Sequence, residues 1–243
     1  MDEEKKFLSL VIKKVGRAFG DYKMLSENDK LLIGVSGGKD SVTLLDIMIY
    51  KKRFLPFKYE IYVANIDFGF FDNYEAYLKK LEEFLKKHEI SYYFIKKTLP
   101  GERKNINCFW CSWNRRKEIF LLAKKLGCNK VALGHTLDDV VVTFLMNLFY
   151  HGEISTMPPV LEMFKGEITL IRPLVYLTSK ETQKYVEYKG LPVFKCKCPY
   201  LSKKFSYRNY LENLVEEELQ KYWPNIKKNI FNSLKKVKKE YLV

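Results

Sequence analysis

Apolar runs and helical-period stretches alternate along most of the chain. Leu31-Leu32-Ile33-Gly34-Val35 is a continuous apolar run of strand length, and Val42 to Ile49 after it reads as a helix. Pro56 ends that segment, and Tyr59 to Ile66 forms a second strand closing on Asp67. Tyr74, Tyr77, Leu78, Leu81 and Leu85 then recur at helical spacing. Ser91 to Ile95 is a third short strand, Asn114 to Leu126 a helix, Val131-Ala132-Leu133 a fourth strand and Leu137 to Phe149 a helix. Ile168 to Ile171 makes a fifth strand, and Thr178-Ser179-Lys180-Glu181 is a capping box opening another helix. Strands and helices exchanging every ~10–15 residues predict an α/β fold. Its centre is a Rossmann-like parallel sheet of about five strands with right-handed crossovers.

Both ends read as helical flanks. Leu8, Val11, Ile12, Val15 and Phe19 give residues 3–20 one apolar face, the mark of a packing helix. Two further helical patterns follow residue 200 and are split at Pro224. The last places Ile226, Ile230, Leu234, Val237 and Tyr241 on one face, with Lys227, Lys228, Lys235, Lys236, Lys238 and Lys239 mostly elsewhere. The expected organisation is an N-terminal helical segment over 1–25, an α/β domain over 26–200 and a basic helical segment over 201–243.

Charge narrows the partners. The 243 residues carry 43 Lys and Arg against 29 Asp and Glu, a net charge of +14. Such an excess points to a polyanion, most simply a nucleic acid; the competing reading is a Lys-rich composition without functional meaning. The first residues lack the basic start and apolar core of a signal peptide. The longest apolar stretch, Val140 to Tyr150, is too short to span a bilayer. A cytoplasmic protein with no membrane partner is expected, so its five cysteines are read as thiols or metal ligands.

The chemistry concentrates at strand ends. Ser36-Gly37-Gly38-Lys39-Asp40-Ser41 lies between the first strand and its helix. Two glycines let the backbone approach a phosphate, the helix amides point at it, Ser36 and Ser41 add hydroxyls and Lys39 adds charge. The spacing is neither a Walker loop nor a dinucleotide fingerprint. Asp67-Phe68-Gly69 and Gly134-His135-Thr136-Leu137-Asp138-Asp139 sit at the ends of the second and fourth strands, where open α/β sheets bind ligands. Taken alone, Asp138-Asp139 is also ordinary acidic charge at a helix start.

Cys108-Phe109-Trp110-Cys111 falls in the linker before the Asn114 helix, and Cys196-Lys197-Cys198-Pro199-Tyr200 lies far downstream. Spacing leaves three readings: a structural zinc on Cys108, Cys111, Cys196 and Cys198, an iron–sulfur cluster on three of them, or, behind these, a redox dithiol at Cys108 and Cys111. Cys128, between Gly127 and Asn129, reads as a small core residue.

These strings carry a family resemblance. Ser36 to Ser41 resembles the SGGxDS signature of the PP-loop (N-type) ATP pyrophosphatases. Adding Cys108-x-x-Cys111 with Asn114-Arg115-Arg116, Gly134 to Asp139, Asn147 to Tyr150, Met157-Pro158-Pro159 and Ile171 to Leu174, residues 1–215 resemble the TtcA-type tRNA 2-thiocytidine synthetases. The resemblance implies ATP cleavage to AMP and pyrophosphate, adenylation of the C2 oxygen of a pyrimidine (a cytidine of the tRNA anticodon loop) and its replacement by sulfur. It implies nucleotide contacts from Ser36, Gly37, Gly38, Lys39, Asp40, Ser41, Asp67, Gly134 and His135. Asp139 becomes a catalytic acid or metal carboxylate, Lys39 and Arg115 stabilise phosphate charge, and Asp40 or Asp139 holds Mg2+. A [4Fe–4S] cluster is implied on Cys108, Cys111 and Cys198 in preference to Cys196. Implied partners are tRNA, a sulfur donor (a cysteine desulfurase or free sulfide) and a second copy of the chain.

The chain departs from the pattern in two places. One residue separates Cys196 from Cys198 where the thiocytidine enzymes tend to have two. Arg115 stands where the thiouridine branch has lysine, and the terminal zinc pairs of that branch are lacking. The rival expectations are thiouridine or lysidine synthesis, and a zinc-containing RNA-binding module.

Overall fold

The computed structural model describes residues 3–69, 73–97, 108–194 and 206–241, with Cys108 and Lys239 described in backbone only. Its centre is a six-stranded sheet in the order β3-β2-β1-β4-β6-β5. The strands are β1 (Lys30–Gly34), β2 (Glu60–Asp67), β3 (Ser91–Lys96), β4 (Lys130–Ala132), β5 (Val160–Met163) and β6 (Ile168–Ile171). All neighbours run parallel except β5, which pairs antiparallel to β6 with Val160 opposite Ile171.

The continuous apolar run of β1 follows from burial on both faces. Leu31 and Ile33 turn into one core with α1 (Glu3–Tyr22), α2 (Lys39–Lys52), α3 (Tyr74–Lys87) and α6 (Ser179–Lys189). Leu32 turns into a second core with Ile119, Leu122 and Ala123 of α4 (Cys108–Leu126). The twofold side-chain period of a strand thus feeds both layers from three consecutive residues. α1 packs through Val11, Val15, Ala18 and Phe19, as its apolar face predicts.

Sheet order fixes where a ligand fits. The chain moves outward from β1 through β2 to β3, then returns to the other side of β1 at β4. The loops leaving β1 and β4 therefore diverge, and the crevice between them is the switch point at which such sheets bind ligands.

Three expectations are corrected. The sheet has a sixth strand, β5: its four residues follow Pro158-Pro159 and return through a tight turn with Lys165 at φ 59° and Gly166 at φ 90°. A four-residue edge strand carrying a glutamate shows too little alternation to be read from sequence. α4 begins at Cys108, so the Cys-x-x-Cys opens a helix instead of lying in a linker. The last α-helix among the described residues, α9 (Ile226–Ser233), stops before Val237 and Tyr241, which are exposed (Tyr241 in a short 3-10 turn, Lys239–Tyr241), and it buries Lys227 beside Phe231. Between α6 and α9 lie α7 (Tyr207–Asn213), a π-helical stretch Leu214–Leu219 and α8 (Gln220–Tyr222). α5 (Leu137–Met146) likewise runs on into a π-helical stretch, Asn147–His151. Among the described residues no helix is long and apolar enough to cross a membrane.

Candidate nucleotide and cysteine site

The loop after β1 turns at Gly37, whose φ of +89° disfavours any side chain. A Cβ there would also lie 3.0 Å from the Tyr77 ring and 3.1 Å from Phe194. Gly38 caps α2 without a side-chain hydrogen bond, which suits a helix start whose amides face an anion. The two serines divide the work. Ser36 is exposed, with its Oγ 3.4 Å from the Gly38 amide. Ser41 is buried; its hydroxyl donates to the Gly38 carbonyl at 2.8 Å and accepts from the Ser36 amide at 3.2 Å. Ser41 therefore braces the turn from within.

Lys39 and Asp40 face α6. Lys39 Nζ donates to Asp40 Oδ1 at 2.7 Å, to Ser179 Oγ at 2.7 Å and to Thr182 Oγ1 at 3.1 Å. The Thr182 hydroxyl also bonds Asp40 Oδ1. The charge of Lys39 is thus tethered beside a carboxylate at the start of α6.

The loop after β4 touches this turn directly. A Cβ on Gly134 would sit 2.9 Å from both the Asp40 carbonyl carbon and the Ser41 nitrogen, so glycine is what lets the two backbones meet. Thr136 and Asp139 form a capping box at the start of α5: Asp139 Oδ2 accepts from the Thr136 amide at 2.8 Å. Its other oxygen, Oδ1, accepts from Arg208 Nη2 of α7 at 2.5 Å. Asp138 Oδ2 accepts from the Ser179 amide at 2.7 Å, and its Oδ1 from Lys227 at 2.6 Å. Lys227 also bonds Glu216, and Glu216 pairs with Lys180 at 2.6 Å. Burial raises the Asp138 carboxyl, against the pull of the Lys227 hydrogen bond. Glu216 feels the same burial, but its bonds to Lys180 and Lys227 win and hold it at about 2.

His135 sits among guanidinium groups. Arg172, just past β6 and buried, donates Nε–H to His135 Nδ1 at 3.2 Å and Nη1–H to the Pro158 carbonyl at 2.5 Å. Burial first, then Arg172, with smaller pushes from Arg116 and Arg208, takes His135 down to about 4 despite Asp139. His135 is a neutral imidazole at physiological pH, with its proton on Nε2.

The cysteine end lies on the same edge of the sheet. Cys108 and Cys111 stand three residues apart in the first turn of α4. The Trp110 ring packs tilted, 5.3 Å from that of Phe68, the residue after β2, and Cys111 lies half-buried in the same cluster. Asp67 is buried at the β2 end and accepts from the Gly69 amide at 2.7 Å. Arg115 lies half-buried one turn beyond Cys111. Cys196 and Cys198 lie outside the described residues, but the segment's two flanks are in view. Phe194 N–H donates to the Gly37 carbonyl at 2.8 Å, and Arg208 binds Asp139. Cys128 is 3% exposed with its thiol pushed up to about 11 by burial, an inert core residue.

The sequence alone gives no role to Arg172, Ser179 or Thr182, and it reads Arg208, in the basic stretch 195–208, and Lys227, in the C-terminal helix, only as part of segments that hold tRNA backbone. Arg172 left one trace, its place at a strand's carboxyl end within the Ile171 to Leu174 string. The others act through tertiary contacts with no local pattern.

Comparison with known proteins agrees with this geometry. Residues 8–219 match the family model described as the PP-loop domain. The chain is 34% identical over 246 residues to the tRNA-cytidine(32) 2-sulfurtransferase of Syntrophotalea carbinolica, covering 99% of this chain and 93% of that one. It is 36% identical over 235 residues to the protein of the same name from Geobacter sulfurreducens, covering 94% and 90%. Among solved structures, the U34-tRNA thiolase NcsA of Methanococcus maripaludis, solved with its [4Fe-4S] cluster, shares the fold. It superposes with a TM-score of 0.79 at 22% identity, over 99% of this chain and 81% of that one. A signature turn at the sheet's switch point, a glycine that seats the β4 loop against it and full-length similarity together mean that this chain belongs to the PP-loop family, with the tRNA-cytidine(32) 2-sulfurtransferases.

Proposed function

We propose that the protein is an ATP-dependent tRNA sulfurtransferase that replaces the C2 oxygen of a cytidine with sulfur, using a [4Fe–4S] cluster and Mg2+. The observation that carries this is the bracketing of the late cysteines. The chain enters residues 195–205 from an amide bonded to the signature turn and leaves them into the arginine bonded to Asp139. A cysteine segment anchored at both ends by the nucleotide site suits a reaction that joins adenylation to sulfur delivery.

The residues divide the chemistry as follows. The cytidine O2 attacks the α phosphorus of ATP, the bond to the β-phosphate oxygen breaks, and pyrophosphate leaves onto the Gly37-Gly38 turn and the α2 amides. Ser36, Lys39 and Arg115 receive the growing phosphate charge. Asp139 and Asp40 are the proposed Mg2+ carboxylates. Neutral His135 presents an N–H to the nucleotide beside Gly134, and Asp67 closes the β2 side. Sulfide then forms a bond to C2, the C2–O bond breaks, and AMP carries the old oxygen away. Cys108 and Cys111, three residues apart in the first turn of α4, are the proposed thiolate ligands of a cluster, with Cys198 as the third. Bound by these three thiolates, a [4Fe–4S] cluster would supply the sulfur-delivery chemistry of the reaction.

A cysteine desulfurase or free sulfide is proposed as the source, the cytoplasm as the compartment and a homodimer as the working form. Mass spectrometry of tRNA nucleosides from cells with and without the gene tests the reading. 2-Thiocytidine lost on deletion and restored by the gene is the expected result; an unchanged nucleoside profile refutes it.

A further inference from the structure

Away from the β1–β4 crevice, α1 and α9 enclose a cavity of about 420 Å³ whose lining is one-signed. Lys13, Lys14 and Arg17 of α1 face Lys228 of α9 across it, no carboxylate lines it, and Tyr176 and Phe231 form aromatic walls. Lys14 is held by Glu181 at 2.5 Å, and Arg17 only grazes Asp21 at 3.9 Å while lying 4.4 Å over the Tyr176 ring. Lys13 and Lys228 are exposed and form no ion pair among the described residues. Lys235, with its ammonium 5.0 Å from the Phe231 ring, extends the same charge.

Lys14 is compensated by Glu181, but Lys13, Lys228 and the weakly paired Arg17 still converge on one groove and repel one another, so the arrangement is relieved by an anion. Lys13 and Arg17 stand one helical turn apart, a rise of about 6 Å, which matches the step between successive phosphates on one nucleic-acid strand. The groove also touches the reaction centre through the chain: Leu137, one of its lining residues, precedes Asp138, and Lys228 follows the Lys227 that binds Asp138.

We infer that the α1–α9 groove binds the phosphate backbone of the substrate tRNA. This rests on the reading of the protein as a tRNA enzyme. It assigns α1 a role beyond packing and places part of the RNA on the outer side of α9, distant in sequence from the cysteines.

The test is binding of an unmodified tRNA transcript carrying cytidine 32 to the full chain over a salt series, for wild type and for Lys13→Glu/Lys228→Glu. Both residues are exposed, so the fold is preserved. Loss of two phosphate contacts should lower the slope of log K against log salt by about 1.5 and weaken binding roughly tenfold near 0.1 M salt. Lys79→Glu/Lys80→Glu on α3 carries the same change of net charge and should cost clearly less. An unchanged slope in the groove variant, an equal loss in the α3 variant, or a change of oligomeric state with RNA binding intact would each overturn the assignment. Because the readout is binding, it stands apart from the thiolation reading, which fails separately if wild type binds tRNA and makes no 2-thiocytidine.

Discussion

Arg172 donates its Nε–H to Nδ1 of His135 over 3.2 Å, fixing that imidazole as a neutral ring with its remaining proton on Nε2. The folded value of about 4 lies below the ordinary 6.5, so the fold favours the uncharged form. The stability this represents is complete above pH 6.5 and is lost as pH falls from 6.5 toward 4. It amounts to something on the order of 3 kcal/mol. His88 is shifted the same way by burial, so comparing wild type with His135→Gln isolates the His135 share. The variant should lose less stability between pH 7 and pH 4.5 in denaturant titrations. Arg172→Met should move His135 upward, and with three histidines in the chain NMR can follow the tautomer directly. An unmoved His135 signal in Arg172→Met would disprove the locking.

Gly134 is the second point of leverage. A methyl group there would press at 2.9 Å on the backbone of Asp40 and Ser41, which has no flexible end to yield. Gly134→Ala should cost about 1–3 kcal/mol and reduce AMP and pyrophosphate formation roughly tenfold or more, because the signature turn itself must shift. Gly20 in α1 meets nothing within 4 Å, so Gly20→Ala should stabilise by about 0.5–1 kcal/mol with activity unchanged. Thermal melts and a pyrophosphate-release assay read both.

The cysteines separate into two classes. Cys111→Ala should remove the iron-dependent absorbance and abolish thiolation while adenylation continues, since the phosphate-holding turn lies in the loop after β1 and α2, a different element from α4, which carries Cys111. Cys108→Ala should do the same. Cys128→Ala should keep both activities and the metal content, at a cost of roughly 1 kcal/mol for a shallow core cavity. If Cys111→Ala retains stoichiometric iron and full thiolation, the cluster assignment is wrong.

What the sequence displayed and what it concealed divide along physical lines. β1 was legible because Leu31 to Ile33 are apolar on both faces, and α6 because Thr178 and Glu181 cap it by local bonds. The signature turn was legible because a strand, two glycines and a helix start are contiguous. β5 was concealed because a short edge strand gains its order from β6 alone. The start of α4 was missed because Trp110 and Phe68, distant in sequence, hold its first turn. The amphipathic pattern assigned Lys227 to the outer face, as that period does for most lysines, and only the fold reveals the two carboxylates that bury it.

That lysine carries the last prediction. Lys227 is 4% exposed, with Asp138 on α5 at 2.6 Å and Glu216 beside it, so it pins the C-terminal helix to the residue preceding Asp139. Replacing it with methionine leaves buried Asp138 without its cation and Glu216 with Lys180 alone. Lys227→Met should cost about 3 kcal/mol in urea denaturation, whereas Lys228→Met at the exposed neighbour should stay within about 0.5 kcal/mol. Asp138 is already raised by burial and restrained by the lysine, so without Lys227 it rises further and takes up a proton more readily. The penalty of Lys227→Met should therefore be smaller at pH 5 than at pH 8. Adding Asp138→Asn and Glu216→Gln should return at least half of the lost stability, because a network removed whole leaves no buried charge uncompensated. A penalty that is the same at both pH values and is not relieved by the two amide substitutions would show that Lys227 acts through packing of its chain alone.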